Sequence, residues 1–319
     1  MRIVYLDEPT YLPDDFVREM EKLGEFEVYD DRPDIPTAVQ RLSQADIAIV
    51  EWTRLREIAF GKLQRLKHIA LVMTGYDLVD IEAAGAAGIS VSNCPTYSAQ
   101  SVAEHVFALL LAANRRIIQA DRLVRQGESH VYGPFLASEL AGRTLGLIGT
   151  GRIGQAVARI ARGFGMHVIG ANRSGRAVPG VEAADIREVM RRSDVVSLHV
   201  PFHAKTKGMI TSELLTSMKR TALFINTSRG GLVDEEALFT LLRDGKIAGA
   251  GLDDVTQVAG NPLYRLDNVV FTPGTAWYTD TAREANMTEL LETIRGYING
   301  TPRNIVNADF LVPKRPESE

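Results

Sequence analysis

A glycine-rich turn between an apolar run and a helical pattern constrains the fold of this chain more than any other feature. The run Thr144–Ile148 leads into Gly149-x-Gly151-x-x-Gly154, and a helix-like pattern follows without a break. The first glycine permits a tight turn, the second lets the backbone approach a pyrophosphate, and the third lets the helix pack closely on the strand. Because the helix N-terminus then faces the anion, the segment predicts a dinucleotide-binding Rossmann unit. A purely structural glycine turn is the alternative interpretation.

The segment after the next predicted strand bears on which dinucleotide is bound. An NAD site usually carries a carboxylate roughly 20 residues past the glycines, which accepts a hydrogen bond from the ribose 2′-hydroxyl. Positions 166–180 contain no carboxylate and instead include Asn172, Arg173, Ser174 and Arg176. Arginine binds a 2′-phosphate through its fork of N–H groups, whereas a carboxylate would repel it. We therefore predict a preference for NADP(H), with NAD(H) possible; the alternative is that both arginines are ordinary solvated loop charges.

Composition limits the other classes of function. A chain of 319 residues is long enough for two domains with substantial cores. Its net charge of −4 gives no reason to expect a nucleic-acid partner, which usually requires a basic surface. No apolar run approaches the length of a membrane span and the N-terminus lacks a signal-peptide pattern, so no membrane partner is expected. The single cysteine, Cys94, fits a reducing cytoplasm. We expect no metal site.

Two successive alternations of strands and helices organise the chain. The N-terminal part alternates short β-branched strands with helical patterns, among them Phe60–Leu66. A second alternation begins at Thr144 and contains the glycine turn. Such βαβ alternation is typical of doubly wound parallel sheets. Between them, the long apolar helix Ser98–Arg116 is interpreted as a hinge and packing element.

The last helical pattern, Thr281–Ile298, is expected to return the chain to the first domain. We therefore predict an α/β fold with two doubly wound parallel-sheet domains. One is a flavodoxin-like substrate-binding domain of residues 1–97 and 283–319, which is discontinuous. The other is a Rossmann NADP-binding domain of residues 98–282.

Ordered motifs over nearly the whole chain resemble those of the D-isomer-specific 2-hydroxyacid dehydrogenases. The matching segments, in chain order, are Thr74–Asp80, Asn93–Ser98 followed by Ser101–His105, Asp194–Pro201, Phe224–Asp234 and Gly249–Asp253. Two further segments, Asn261–Leu263 and Thr272–Trp277, are similar to the hydroxypyruvate and glyoxylate reductase branch.

The resemblance implies an oxidoreductase that transfers hydride to or from a small carboxylated substrate of the 2-oxo acid or 2-hydroxy acid type. It assigns to Arg229 the binding of the substrate carboxylate and the polarisation of the carbonyl, for which a permanent positive charge is suited. Backbone amides of the turn at Thr74, Gly75 and Tyr76 are candidates to hold the other carboxylate oxygen. Substrate is then expected between the domains, at the carboxyl ends of the strands.

The resemblance also extends the predicted cofactor site beyond the glycine turn. The full predicted set is Gly149, Gly151, Arg152, Ile153, Gly154, Asn172, Arg173, Ser174, His199, Pro201, Thr227 and Asp253. For His199, contact with the cofactor and simple packing both stay open.

The chain departs from the family at both members of the acid–base pair. The family takes a proton from a histidine after Thr-Pro, and here that position is Gly274. The glutamate that orients the histidine is also absent, since Val258 or Ala259 occupies its place. A joint loss is coherent, because a glutamate buried without its histidine would be costly. Tyr278, Asp254 and a bound water are the alternatives for a proton donor, and Tyr278 is our candidate catalytic residue beside Arg229.

These residues are therefore compatible with two functions. The first is an NADP(H)-dependent oxidoreductase with a nonstandard proton path, for which hydroxypyruvate and glyoxylate are expected to be poor substrates. The second is a catalytically retired dinucleotide-binding regulator or scaffold. A homodimer through the cofactor domain is expected on two grounds: the family resemblance, and the apolar residues on more than one face of Ser98–Arg116.

Overall fold

The computed structural model describes residues 1–256 and 259–311, and the chain divides into two compact units. The first unit comprises Met1–Ser98 and the chain from Thr279 onward, and the second comprises Ala99–Tyr278. The sequence-based prediction sets these junctions after residues 97 and 282. Both units are α/β structures with wholly parallel sheets, as the alternation of strands and helices predicts.

The sheet of the first unit has the flavodoxin-like order. Its strands are β1 (Arg2–Tyr5), β2 (Glu25–Val28), β3 (Ile47–Val50), β4 (His68–Leu71) and β5 (Ser90–Ser92). They pair in the order β2-β1-β3-β4-β5, all parallel. The chain thus winds outward in both directions from the pair β1 and β3, which is the switch point of a doubly wound sheet.

Alternate strand residues of the first unit feed two separate cores. Ile3, Tyr5, Ile47 and Ile49 face one side of the sheet, whereas Val4, Ala48 and Val50 face the other side. Three helices of this unit are α1 (Asp14–Glu21), α2 (Ile35–Ser43) and α3 (Ile81–Ala86). Helix α1 covers the first core, and α2 and α3 cover the second. Burial on both faces explains why these strands read as continuous apolar runs.

The predicted helix Phe60–Leu66 is wrong. The structure has a single 3₁₀ turn over Phe60–Lys62. The buried apolar side chains of the segment from residue 60 to residue 66 are Phe60, Leu63 and Leu66, spaced by three residues. A spacing of three suits the three-residue period of a 3₁₀ turn as well as one face of an α-helix, so the pattern could not separate them.

The sheet of the second unit has the Rossmann order with one additional strand. Its strands are β6 (Thr144–Ile148), β7 (His167–Ala171), β8 (Glu182–Ala183), β9 (Val195–Leu198), β10 (Leu223–Asn226), β11 (Gly249–Leu252) and β12 (Val269–Phe271). They pair in the order β12-β11-β10-β9-β6-β7-β8. Its helices are α4 (Ala99–Arg115), α5 (Ile117–Arg125), α6 (Arg152–Gly163), α7 (Ile186–Arg192), α8 (Ser212–Thr216) and α9 (Glu235–Arg243). The order reverses between β6 and β9, where such sheets bind nucleotides.

Helix α4 is covered within its own unit. Val102, Val106, Phe107, Leu109 and Leu110 are buried, and the last four belong to the core that α6 and the sheet build. The apolar character of this helix therefore has an intrachain explanation and is no argument for a dimer. The short helix α5, which the sequence analysis missed, follows a left-handed residue, Arg116, and carries no buried side chain.

The last helix, α10 (Asp280–Ile298), belongs to the first unit. Met287, Leu290 and Ile294 lie on one face of it and pack into the core beside β1 and β3. Each such side chain contributes about 1.5–3 kcal/mol by leaving water. None of the helices formed by the described residues has both the length and the apolar character needed to cross a bilayer.

Candidate active site

The glycine turn lies between β6 and α6 and is shaped for a phosphate group. Gly149 has φ +97°, and a Cβ there would overlap the His199 carbonyl oxygen. A Cβ on Gly154 would overlap the Gly149 carbonyl oxygen, so the helix sits as close to the turn as the backbone permits. Around Gly151, by contrast, no heavy atom of the described residues other than its immediate chain neighbours lies within 4 Å of the Cβ position. Gly149 and Gly154 thus allow close backbone packing within the chain, whereas Gly151 faces open space at the N-terminus of α6.

Two buried polar atoms at the same edge of the sheet have no protein partner among the described residues. They are Nδ1 of His199, just after β9, and Oγ1 of Thr227, just after β10. Burial lowers the pKa of His199 to about 3, so its ring is neutral. Its Nε2 lies 2.9 Å from the Ser197 hydroxyl. Because buried polar atoms normally find partners, these two fit a site for a polar ligand such as a dinucleotide.

The loop after β7 is organised by Asn172. Its amide nitrogen donates to Thr150 Oγ1 and to the Arg176 carbonyl oxygen, both at 2.9 Å. Its amide oxygen accepts from the Ser174 hydroxyl at 3.0 Å. This pattern ties the loop to the glycine turn and leaves Arg173 on the surface.

Positive charge gathers beside this loop. Burial lowers the pKa of His203, and the nearby charges of Arg173 and Lys205 lower it further. The Lys205 backbone N–H donates to His203 Nδ1 at 3.2 Å. Arg173 and Lys205 thus lie close enough to His203 for their charges to act on its ring.

The remaining predicted cofactor residues lie along the same edge. Arg152 and Ile153 form the first turn of α6, where no side chain among the described residues caps Gly151. Pro201 follows β9, and its carbonyl oxygen accepts from the Thr206 hydroxyl at 2.8 Å.

Arg229 is held in place by a buried asparagine at the end of β10. The amide of Asn226 donates to the Arg229 carbonyl oxygen at 2.9 Å and accepts from the Ser228 N–H at 2.9 Å. Arg229 Nη1 donates to the Ser228 carbonyl oxygen at 3.0 Å, and Nε lies 3.8 Å from Asp254 Oδ2. Its side chain is partly exposed, so the guanidinium is within reach of a carboxylate in solution. The sequence analysis missed the role of Asn226, which shows only through these hydrogen bonds.

Asp253 shapes the turn that follows β12. Its carboxylate accepts from the Thr272 hydroxyl at 2.5 Å and from the backbone N–H groups of Thr275 and Ala276 at 2.9 and 3.0 Å. His105 Nε2 lies 2.9 Å from the same threonine hydroxyl. The structure thus gives Asp253 a structural task, and a role at the cofactor stays a prediction.

Gly274 lies within this turn and has φ +76°. Its N–H donates to the Asp253 carbonyl oxygen at 2.8 Å. A left-handed conformation of this kind favours glycine, so a histidine at this position would strain the backbone as it stands. Of the two positions predicted to replace the family's glutamate, Val258 lies outside the described residues and Ala259 is exposed.

Tyr278 is 42% exposed and packs edge-on against Trp277, with ring centroids 5.2 Å apart. Its backbone N–H donates to the Thr275 carbonyl oxygen at 2.9 Å. The structure therefore places it after the turn that contains Gly274, and its role as an acid stays a prediction.

In the first unit, the predicted substrate turn follows β4. The Thr74 hydroxyl donates to the Cys94 carbonyl oxygen at 3.0 Å, and the Asn93 amide donates to the Thr74 carbonyl oxygen at 2.7 Å. Tyr76 packs against the core of this unit. The turn is therefore fixed by its own neighbours before any ligand binds.

The sequence analysis also missed two buried carboxylates after β1 and β3. Asp7 accepts the backbone N–H groups of Glu51 and Thr53 at 2.7 and 3.0 Å. Glu51 accepts from the Tyr5 hydroxyl at 2.7 Å, and burial raises its pKa. The strands before these two carboxylates are apolar, so no sequence pattern indicated the network.

Over residues 1–256 and 259–311, no group of three or more His, Cys, Asp or Glu side chains is placed to hold a metal ion.

Comparison with known proteins identifies the family. Residues 107–276 match the NAD-binding domain of the D-isomer specific 2-hydroxyacid dehydrogenases. This chain belongs to that family. It is 37% identical to the glycerate dehydrogenase of Methylorubrum extorquens, over 96% of this chain and 99% of that protein. It is 35% identical to the glyoxylate reductase of Pyrococcus furiosus, over 96% of each chain.

Among solved structures, an acyclic imino acid reductase (Bsp5) in complex with NADPH and D-Arg is similar throughout. It has a TM-score of 0.94 and 50% sequence identity, over 96% of this chain and all of that chain. Membership of the family makes this protein an oxidoreductase of the 2-hydroxyacid dehydrogenase type, with a nicotinamide dinucleotide as cofactor and small carboxylates as substrates.

Proposed function

We propose that this protein is an NADP(H)-dependent reductase of small 2-imino acids, which it converts to D-amino acids. The observation that carries the proposal is Gly274, a left-handed glycine at the position where the family resemblance calls for a histidine acid. The similarity to an acyclic imino acid reductase solved with NADPH and D-Arg supports it.

The chemical reason is a difference in where the proton comes from. Reduction of a ketone creates negative charge on oxygen, so the site must deliver a proton, and a positioned acid contributes about 10²–10⁴-fold. A protonated imine arrives with its proton, and hydride transfer turns it into a neutral amine. A site for imines therefore functions without the histidine, while Arg229 still binds the carboxylate. For any residual ketone reduction, Tyr278 is the proposed acid.

For the cofactor, we propose that NADP(H) binds more tightly than NAD(H). Arg173, with Ser174 beside it, supplies the charge and hydroxyl for the 2′-phosphate, and Lys205 adds to the positive potential. The glycine turn and the buried atoms of His199 and Thr227 are proposed to contact the rest of the dinucleotide. When bound, the cofactor supplies the hydride.

For the substrate, we propose that the backbone amides at Thr74, Gly75 and Tyr76 assist Arg229 in holding the carboxylate. We also propose a homodimer formed through the second unit, as the family resemblance implies. Exposed apolar side chains on and after α5 support that surface. A cytoplasmic location is part of the proposal and rests on Cys94, which is a buried free thiol.

The proposal is tested by following NADPH oxidation with pyruvate, glyoxylate or hydroxypyruvate, each with ammonium chloride or with sodium chloride at equal ionic strength. We expect turnover to depend on ammonium. The product should be glycine from glyoxylate and the D-amino acid from pyruvate or hydroxypyruvate, identified by chiral chromatography. Turnover of hydroxypyruvate at roughly 10 per second without ammonium would contradict the proposal. NADPH binding without turnover of any substrate would favour the retired regulator instead.

A further inference from the structure

A carboxylate and a guanidinium lie side by side at the carboxyl edge of the seven-stranded sheet. Asp254 Oδ2 is 3.8 Å from Arg229 Nε, and 32% and 35% of the two side chains are exposed. Arg229 follows β10 and Asp254 follows β11, and these strands pair in parallel, with Asn226 opposite Leu252. The spacing of the two charges is therefore set by the sheet and by the Asn226 hydrogen bonds.

The neighbouring carboxylate is engaged elsewhere. Both oxygens of Asp253 accept hydrogen bonds from the turn Thr272–Ala276. Asp253 therefore supports the turn, whereas the carboxylate of Asp254 lies beside the Arg229 guanidinium. Asp254 directly follows Asp253, whose carbonyl oxygen accepts a hydrogen bond from the Gly274 N–H.

We propose that Asp254 is the anionic residue that stands against the iminium nitrogen of the substrate and selects 2-imino acids over 2-oxo acids. This inference rests on the function proposed above. The substrate would carry a carboxylate and a cationic nitrogen on adjacent carbons, and the site offers a guanidinium and a carboxylate as neighbours. The two pairs of charges are complementary.

The Asp254 carboxylate favours reduction of an imine and disfavours reduction of a ketone. Beside an imine it favours the protonated form, which is the better hydride acceptor. A C–H bond then forms with the hydride from the reduced cofactor, and the C=N π pair moves to nitrogen. The products are a neutral amine and the oxidised cofactor, and the amine takes a proton from water. Beside a ketone, the carboxylate repels the negative charge that develops on oxygen.

The test compares Asp254→Asn with the wild type and with Asp244→Asn, an exposed aspartate paired with Arg243 after α9. With pyruvate and ammonium chloride, Asp254→Asn is expected to lower kcat/KM by about 10- to 1000-fold, the effect of an opposite charge within a few ångströms on an ionisation. With pyruvate alone, kcat/KM is expected to stay equal or rise. Asp244→Asn should change neither.

Two further readouts separate this role from a structural one. The alkaline limb of the imine pH–rate profile should move to lower pH in Asp254→Asn, because the imine loses its proton more readily. Calorimetric binding to the NADP⁺ complex should weaken for D-alanine and not for D-lactate. Equal losses for both substrates, or no loss, would overturn the inference. If ammonium gives the wild type no activity, the proposed function itself has failed, which the wild-type data alone reveal.

Discussion

Arg229 is the residue on which substrate binding is expected to depend most directly. Arg229→Ala should lower kcat/KM by about 10²–10³-fold, the cost of removing one preorganised donor to a reacting substrate. Arg229→Lys should recover little of this, because an ammonium lacks the planar fork that matches a carboxylate. The measurement is steady-state kinetics with NADPH. The dissociation constant of NADPH should stay within about twofold of wild type, and a large change in it would mean that the variant had disturbed the fold.

Arg173 is expected to decide between the two cofactors. Arg173→Ala should weaken NADPH binding by about 10-fold or more, since a hydrogen bond to a charged group contributes about 1.5–3 kcal/mol, and should leave NADH binding unchanged. Fluorescence titration with each reduced cofactor measures this. Arg187→Ala serves as the matched control, because Arg187 pairs with Glu213 on the surface of the same unit. Wild-type protein that binds NADH as tightly as NADPH would contradict the preference.

His68 and His199 make stability depend on pH. Burial lowers the pKa of each from 6.5 to about 3 in the folded chain. Between these values the unfolded chain binds more protons, so stability falls as the pH falls, by about 1.4 kcal/mol per pH unit for each histidine. His68→Gln should be less stable near neutral pH but lose less on acidification. Urea unfolding at about pH 7 and about pH 5 gives the loss of unfolding free energy on acidification for the wild type and for the variant. Equal losses would contradict the assignment.

At the scale of elements, the glycine turn offers two alanine variants with opposite expectations. Gly151→Ala meets no atom of the described chain, so the melting temperature should be close to wild type while NADPH binding weakens by 10-fold or more. Gly149→Ala has φ +97° and meets the His199 carbonyl oxygen, so it should destabilise the second unit by about 1–3 kcal/mol. Thermal melts and NADPH titrations of both variants test this. Unchanged NADPH affinity in Gly151→Ala would argue for a purely structural turn.

Elements of this chain differ in how well local sequence predicts them. Helix α6 and strand β6 were predictable because the glycine turn, the apolar run and the helical period are all local signals. Helix α4 was predicted, but its partner was not, since periodicity reveals an apolar face without revealing what covers it. Helix α5 was missed because the left-handed Arg116 that separates it from α4 is not a glycine.

At the scale of the whole molecule, the surface around α5 replaces α4 as the expected interface of the homodimer. Val124 and Leu136 are 67% and 91% exposed, which makes them the side chains of choice for testing this surface. The double variant Val124→Asp/Leu136→Asp should convert a dimer into a 35.0 kDa monomer in light scattering at micromolar concentration. Val28→Asp, an exposed valine of the first unit, is the control and should stay dimeric. A wild-type monomer would contradict the dimer itself.

From the sequence alone, the two parallel α/β units and the dinucleotide turn could be predicted, while Arg229 became a candidate through the resemblance to the family. The glycine turn and the alternation of strands and helices are patterns of residues close together in the chain, where covalent neighbours fix the geometry. Only the tertiary structure revealed that Asn226 holds Arg229, that Asp253 supports the turn around Gly274, and that Asp254 faces Arg229. These are side-chain contacts, most of them between residues on different strands. They depend on how parallel strands bring their carboxyl ends to one edge, a relation that no local pattern contains.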